Sequence, residues 1–364
     1  MTDKIEGIDE TENLGDYPID SVLIRVEHRT VFETIRKINS DKEDETKFIL
    51  NPDFERDFVW DNTRQSRLIE SCLMRIPLPV FYFAEEENGD TVVVDGLQRL
   101  TTFKRYLSDK FALQGLAEKS PLKNKKFQDL TPKLKSRLEA TQLILYLIDS
   151  KVPEQSKLDI FERVNSGEPL TRQQMRNGLY NGLGTKWLKQ QADSDWFQKA
   201  TGKSLKNKNH LKSMRDREFV NRFCGFYLLG VEKYEGDMDQ FLAKTLKHMN
   251  RMSMIELEKL IASFQRSMKN NYEVFGTHAF RKHQSPNDNK RSPLNIAIFE
   301  VFSVYLSRYS ENDVRKKAGK IRETFYTLMK NKDFNSAVSG GTNHKQFVLS
   351  KFKLANKILE EAMR

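Results

Sequence analysis

One short stretch, residues 91–102, constrains the fold of this chain more than any other part of its sequence. Four residues with high β propensity, Thr91 to Val94, predict a buried strand that ends at Asp95. Gly96 then allows a sharp backbone turn. After it, apolar residues recur at the i, i+3 and i+7 spacing of one helix face: Leu100, Phe103 and Leu107. The stretch therefore predicts a strand that turns through glycine into a helix.

A helix that begins directly after such a turn presents the N–H groups of its first turn to any nearby anion. The positive end of the helix dipole lies at the same place. Arg99 falls in this first turn, where a guanidinium can hold a phosphate through two parallel hydrogen bonds. Asp95 can accept from a hydroxyl or hold a hydrated metal ion. The alternative interpretation is an ordinary strand–turn–helix junction, in which Arg99 pairs with a neighbouring carboxylate on a solvated surface.

The length and composition bound the class of protein. A chain of 364 residues is long for one hydrophobic core and predicts two domains. No apolar run approaches the roughly 20 residues that cross a bilayer, and the acidic N-terminus does not have the pattern of a secretory signal. The two cysteines, Cys72 and Cys224, fit a reducing compartment and exclude a disulfide scaffold. We therefore expect a cytoplasmic protein.

The charge is positive and unevenly distributed. The net charge is +10, although residues 1–20 contain seven acidic side chains and one lysine. We expect residues 1–20 to form a flexible acidic tail, and we expect DNA or another polyanion as partner of the basic remainder. Two basic runs, 119–137 and 199–217, contain the candidate DNA-binding residues. These are Lys123, Lys125, Lys126, Lys203, Lys206 and Lys208. Solvated surface is the alternative interpretation of both runs.

The secondary-structure signals change near residue 185. Before it, strand and helix patterns alternate, and after it amphipathic helices dominate with no convincing strand. The sequence therefore predicts an α+β domain over 21–185 and an all-α domain over 186–364. Within the first domain, Thr171 and Gln174 form a capping box that starts a helix carrying Arg176.

Four segments in a fixed order resemble a known family. They begin with Pro52-Asp-Phe-Glu-Arg56 and continue through 68–79, the central Val94-Asp-Gly-Leu-Gln-Arg99, and Phe161-Glu-Arg163-Val-Asn165 onward to Asn177. This order is similar to that of the ParB/sulfiredoxin-like N-terminal domain of GmrSD-type (type IV, modification-dependent) restriction enzymes, long catalogued as a domain of unknown function. The resemblance covers roughly residues 20–185, and the helical remainder is similar to that of stand-alone members.

The resemblance implies a nucleotide-binding ParB-like fold in a bacterial anti-phage defence or restriction system that acts on modified DNA. It implies a nucleoside triphosphate with Mg²⁺ as cofactor, with the base left open. In the family the central motif usually reads Asp-Gly-Gln-Gln-Arg, whereas Leu97 replaces the first Gln here, which makes hydrolysis less expected than binding. Glu55 stands where the family more often has Gln, and the Arg56 position is retained.

Carried onto this sequence, the family motifs give two sets of candidate residues. The candidate catalytic residues of an NTP hydrolase are Asp95, Gln98 and Arg99. The candidate nucleotide-binding residues are Arg56, Gly96, Arg99, Thr101, Thr102, Arg163, Asn165 and Arg176. We expect the arginines to converge on the phosphates, and we expect Gln98 and Asn165 to contact a base or sugar edge or a metal-bound water.

The sequence shows no sign of the HNH nuclease domain of GmrSD enzymes, and no metal-ligand set is predicted. His278 and His283 are five residues apart, off the spacing that places two side chains on one helix face. Asp288 is a nearby candidate for a third ligand, but the spacing matches no known ligand set, and a polar surface loop is the alternative interpretation. Two other functions remain open: a non-catalytic DNA- or protein-binding module that recruits a separately encoded nuclease, and a ParB-like DNase.

Overall fold

The computed structural model describes residues 5–6, 23–39, 46–50, 60–86, 89–118, 120–164, 171–283, 285 and 291–364. Contacts between residues divide the chain into two compact units. One unit comprises residues 17–170, and the other comprises residues 1–16 together with 171–364.

The unit of residues 17–170 is built on a mixed five-stranded sheet. With β1 (Ile5–Glu6) belonging to the other unit, its elements in chain order are β2 (Ile24–Thr30), α1 (Val31–Ile38), β3 (Phe48–Ile49), α2 (Asn62–Leu73), β4 (Phe81–Glu85), β5 (Thr91–Asp95), α3 (Leu97–Leu107), α4 (Pro132–Glu139), β6 (Gln142–Ile148) and α5 (Glu154–Val164). The strand order is β2-β6-β4-β5-β3.

Strand directions in this sheet alternate between the two types of pairing. β2 is antiparallel to β6, β6 is parallel to β4, β4 is antiparallel to β5, and β5 is parallel to β3. In β6 the leucines Leu143, Leu145 and Leu147 are buried, whereas Gln142 and Ile144 are exposed. This period of two is that of a sheet with one face packed on a core. The core includes residues of α1, α2 and α3, among them Val31, Ile69 and Phe103.

The second unit is mainly helical. Its elements are β1 and then α6 (Arg172–Leu179), α7 (Leu183–Ala192), α8 (Asp195–Ala200), α9 (Lys208–Lys212), α10 (Arg215–Leu228), α11 (Met238–Asn250), α12 (Met254–Phe275), β7 (Leu294–Asn295), α13 (Ile296–Leu306), α14 (Glu311–Lys330), α15 (Lys332–Ala337) and α16 (Lys345–Met363). All eleven residues of α13 are buried, so this helix lies at the centre of the unit.

The structure confirms an α+β region followed by helices, and it corrects one detail. Within residues 186–364, where no strand is predicted, Leu294 and Asn295 form the short strand β7, which pairs in parallel with β1. A two-residue strand has too short a pattern to be recognised by periodicity.

Apart from Ile5 and Glu6, the predicted acidic tail of residues 1–20 lies outside the described residues. The predicted boundary near residue 185 falls within α7, whereas the chain passes between the units at residues 170 and 171.

Among the helices that the structure describes, none combines the length and the apolar character needed to cross a membrane.

Candidate functional site

The junction between β5 and α3 has the geometry that the sequence predicts. Gly96 is the N-cap residue of α3 and has a φ of +101°, in the left-handed region that favours glycine. A Cβ atom at this position would lie 2.9 Å from Cε1 of Phe81, on the neighbouring strand β4, and closer still to Cδ1 of the same ring. Both the backbone conformation and the close approach of the Phe81 ring therefore require glycine at position 96.

The first turn of α3 begins without a capping side chain. The N-cap residue has no side chain to accept a hydrogen bond, and the first intrahelical bond runs from Leu100 N–H to the Gly96 carbonyl. The N–H groups of residues 97–99 thus precede the first intrahelical bond, and N–H groups in this position bind anions at helix N-termini.

Arg99 lies in this first turn, and its guanidinium is held by its own domain. Nη1 donates to the Pro79 carbonyl, while Nη2 donates to the Val80 carbonyl at 3.1 Å and to Asp95 Oδ2 at 2.7 Å. The guanidinium carbon lies 4.2 Å from the centre of the Phe81 ring. Burial lowers the pKa of Arg99, and the charge of Asp95 opposes this change. Arg99 therefore holds residues 79–81 against the start of α3. Its guanidinium would have to give up these hydrogen bonds in order to bind a phosphate.

Asp95 is the acidic group of the junction. Its side chain is 31% exposed, and the ion pair with Arg99 uses Oδ2. Within the described part of the chain, no group donates a hydrogen bond to Oδ1. One carboxylate oxygen thus remains available to a ligand beside the helix N-terminus.

The other predicted residues of α3 point to different environments. The Oε1 atom of Gln98 accepts from Trp60 N–H at 3.4 Å. Thr102 Oγ1 donates to the Gln98 carbonyl at 2.7 Å, so the Thr102 hydroxyl is bonded to the backbone of its own helix. The Thr101 hydroxyl is buried and has no hydrogen-bond partner among the described residues. Leu97, the departure from the family motif, packs against the hydrophobic core.

The remaining predicted residues lie in different parts of the chain. Arg163 is exposed in the last turn of α5, and α5 packs against β5, the strand that ends at Asp95. Arg176 lies in the helical unit, where it is buried and donates to Asp239 and to Gln173. Arg56 and Asn165 lie outside the described residues.

The candidate DNA-binding lysines are distributed over both units. Lys123 and Lys126 are exposed and Lys125 is half-buried in the unit of residues 17–170. Lys203 and Lys206 are exposed in the helical unit, and the side chain of Lys208 is not among those described.

The histidine pair noted in the sequence is brought together. The rings of His278 and His283 have centres 5.2 Å apart, and His283 Nδ1 lies 2.9 Å from the Arg281 carbonyl oxygen. Asp288 lies outside the described residues. Across the described ranges there is no cluster of three or more His, Cys, Asp or Glu side chains arranged to hold a metal ion.

Sequence reasoning missed a buried charge cluster in the helical unit. Glu300, fully buried in α13, accepts from Arg222 Nη1 at 2.6 Å and from Lys351 Nζ at 2.5 Å. Arg222 also donates to Glu218 at 3.1 Å, and Glu218 accepts from Arg215 at 2.9 Å. The available signal was a single charged residue within an apolar helix, as in Ile296-Ala-Ile-Phe-Glu300-Val-Phe.

Comparison with known proteins gives one family match. Residues 35–181 match the family model described as GmrSD restriction endonuclease, N-terminal domain. This match confirms, over that range, the resemblance that the four sequence segments predict. No curated protein and no solved structure matches the chain.

Proposed function

We propose that this chain, whose residues 35–181 match the GmrSD N-terminal domain, is a nucleotide-binding component of a restriction-type defence system that acts with DNA. The domain's place in a restriction endonuclease supports the biological role. The observation that carries the nucleotide assignment is the junction at Gly96, where a carboxylate oxygen of Asp95 adjoins the uncapped start of α3.

The junction suits a polyphosphate chelated to Mg²⁺. The N–H groups of residues 97–99 and the helix dipole favour phosphate oxygens, while Asp95 Oδ1 offers a hard oxygen ligand. Magnesium in such sites is held by one or two carboxylates together with substrate phosphates, rather than by a cage of protein ligands. Asp95 fits this donor set, and the bound ion would neutralise phosphate charge.

Arg99 acts in this proposal as a positioning residue. Its bond to Asp95 fixes the direction of that carboxylate. Its bonds to the carbonyls of Pro79 and Val80 fix the position of these two residues, which directly precede β4, relative to α3. Arg163, at the end of α5, is the exposed arginine proposed to contact the phosphates directly. Leu97, partly buried against the core, has no polar group to offer where the family motif has Gln, and this supports binding more strongly than hydrolysis.

Calorimetry with ATP, GTP and CTP, each with and without Mg²⁺, tests the assignment. We expect the wild type to bind at least one triphosphate with Mg²⁺, and Asp95→Asn to bind it at least tenfold more weakly. The matched control is Asp109→Asn, because Asp109 follows the other end of α3 and has a positive φ that Asn tolerates. Absence of binding by the wild type to all three triphosphates would overturn the proposal and favour a non-catalytic module that recruits a separate nuclease.

DNA contact is proposed through the exposed lysines of both basic runs. Phosphate contacts release counterions, so the affinity for duplex DNA should fall steeply as the salt concentration rises. In a plot of the logarithm of the association constant against the logarithm of the salt concentration, each contact adds about one unit to the slope. We expect Lys123→Gln with Lys126→Gln to reduce that slope by about 2. Lys316→Gln with Lys320→Gln, which removes two charges from α14, is the control. A slope that Lys123→Gln with Lys126→Gln leaves unchanged would contradict DNA contact at these two lysines.

Metal-dependent cleavage of DNA by the purified chain would instead favour the DNase alternative.

A further inference from the structure

The outer edge of the five-stranded sheet has an unusual combination of exposed apolar and charged side chains. β2 is an edge strand, with β6 as its neighbour in the sheet. On β2 the side chains of Val26 and Ile24 are 53% and 40% exposed, and Ile144 of the adjacent β6 is 37% exposed. The register pairs His28 with Ile144 and Ile24 with Ile148, so these apolar residues share one face of the sheet.

The hydrogen bonds of β2 show which of its backbone groups remain at the edge. Asp149 N–H donates to the Leu23 carbonyl and Val31 N–H donates to the Thr141 carbonyl, each at 3.0 Å. In an antiparallel pair, alternate residues bond to the neighbour. The odd-numbered residues of β2 therefore face β6, and the N–H and C=O groups of Ile24, Val26 and His28 point outward from the sheet.

Outward-pointing groups on a seven-residue strand are a template for another strand. We propose that a second copy of this chain pairs with β2 in antiparallel fashion, in the register that places Val26 opposite Val26. A two-fold axis normal to the sheet would relate the copies, and the sheet would continue from one copy into the other.

Charge complementarity selects this register, in which the ion pairs that Arg25 makes with Glu85 and Glu27 with Arg29 inside one chain are exchanged for pairs across the edge. With Val26 at the centre, Arg25 of each copy lies opposite Glu27 of the other, in the closely spaced type of pair where side chains interact most strongly. Centring on Glu27 would oppose Glu27 to itself and Arg25 to Arg29, and centring on Arg25 would oppose two arginines. Like charges directly opposite one another destabilise a sheet.

The apolar face supports the same register. Centring on His28 would also pair Glu27 with Arg29, but it would place Val26 opposite Thr30, the last residue of β2. Only the register centred on Val26 joins Val26 of both copies, with Ile24 and Ile144 beside them, into one apolar surface. Burial of such exposed apolar area is the main driving force for association.

Light scattering on a sizing column tests the dimer with the full chain. We expect the wild type to have twice the chain mass of 42.6 kDa. Val26→Asp should be monomeric, because it opposes two carboxylates at the axis. Ile255→Asp, at a 66% exposed position of α12, is the matched control and should remain dimeric.

A charge-swap experiment tests the register. Arg25→Glu and Glu27→Arg should each weaken the dimer at least tenfold, because each homodimer then opposes like charges. In an equimolar mixture, one variant carries two acidic side chains at positions 25 and 27 and the other carries two basic ones. Every opposed pair then has opposite charges, so the mixture should dimerise again.

Three results would overturn the proposal: a monomeric wild type, a Val26→Asp variant that remains dimeric, or an Arg25→Glu variant that dimerises as well as the wild type. The last result would place the register on His28. In a monomeric wild type, slow hydrogen exchange at the amides of Ile24, Val26 and His28 would show that another segment of the same chain covers the edge.

Discussion

The Nη2 atom of Arg99 lies 2.7 Å from Oδ2 of Asp95, so an ion pair spans the turn between β5 and α3. The two residues are four apart, on opposite sides of Gly96. The pair is more buried than an ordinary surface ion pair, with the Arg99 side chain 11% exposed. It therefore fixes the junction at which we place the nucleotide.

Arg99→Ala is expected to destabilise the chain as well as impair the site. Removal of the guanidinium leaves the carbonyls of Pro79 and Val80, and the Asp95 carboxylate, without their donor. The free energy of unfolding should fall by about 1–3 kcal/mol in chemical denaturation. Arg67→Ala, at an exposed position of α2, should change it by less than about 0.5 kcal/mol. Equal stability of the two variants would contradict the positioning role.

Gly96→Ala is expected to be poorly tolerated. The added Cβ would overlap the Phe81 ring in a backbone conformation that alanine rarely adopts. We expect a loss of about 2–4 kcal/mol in the free energy of unfolding. Gly319→Ala in α14 is the control, since a Cβ added there would meet no atom of the described residues within 4 Å, and it should stabilise the chain by about 0.5–1 kcal/mol. A neutral Gly96→Ala would show that the junction differs from the one described.

Glu300→Gln should unfold the helical unit more readily. Glu300 is fully buried between Arg222 and Lys351, and neutralising it leaves Lys351 without a carboxylate partner and Arg222 with Glu218 as its remaining one. We expect a loss of about 3–5 kcal/mol by chemical denaturation. Glu311→Gln, which breaks an exposed pair with Lys269, should cost at most about 1 kcal/mol. Similar costs for the two substitutions would contradict the role given to this cluster.

Asp216 is expected to make stability depend on pH. Burial raises the pKa of Asp216 from 3.8 to about 6, although the bond from Arg217 N–H opposes this. Between these values the folded chain binds more protons at this group than the unfolded chain, so the contribution of Asp216 to stability falls as the pH rises from about 4 to 6.

Asp216→Asn removes that loss while keeping an acceptor for Arg217 N–H. We expect the variant to be more stable than the wild type at pH 7, by up to about 3 kcal/mol, and equally stable below pH 4. Denaturant titrations at a series of pH values measure both. A difference between the two proteins that does not change with pH would contradict the shift.

Local features of this chain could be predicted from the sequence, because their determinants lie close together along it. The capping box of Thr171 and Gln174 forms as expected, and the strand at Thr91 and the glycine turn at Gly96 are where the pattern places them. The partners of Arg99 at Pro79 and Val80, 20 and 19 residues away, depend on the strand order of the sheet and could not be predicted.

The same limit applies to the interior of the helical unit. Glu300 meets Arg222 and Lys351 across separations of 78 and 51 residues, so only the folded arrangement of helices shows that their charges are compensated. Arg176 shows how this limit affects the prediction of site residues. Its place in a family motif predicts a phosphate contact, whereas the fold surrounds its guanidinium with Asp239 and Gln173.

Amide hydrogen exchange, with and without Mg²⁺ and the triphosphate that binds, tests whether the nucleotide lies at the Asp95–Gly96 junction. We predict that the nucleotide slows exchange at residues 96–99, whose N–H groups precede the first intrahelical bond of α3. Asp95→Asn should abolish this slowing at the same nucleotide concentration, while exchange in the strands of the sheet stays unchanged. Nucleotide-dependent protection that appears only elsewhere in the chain, or that persists in Asp95→Asn, would contradict a nucleotide site at the Asp95–Gly96 junction.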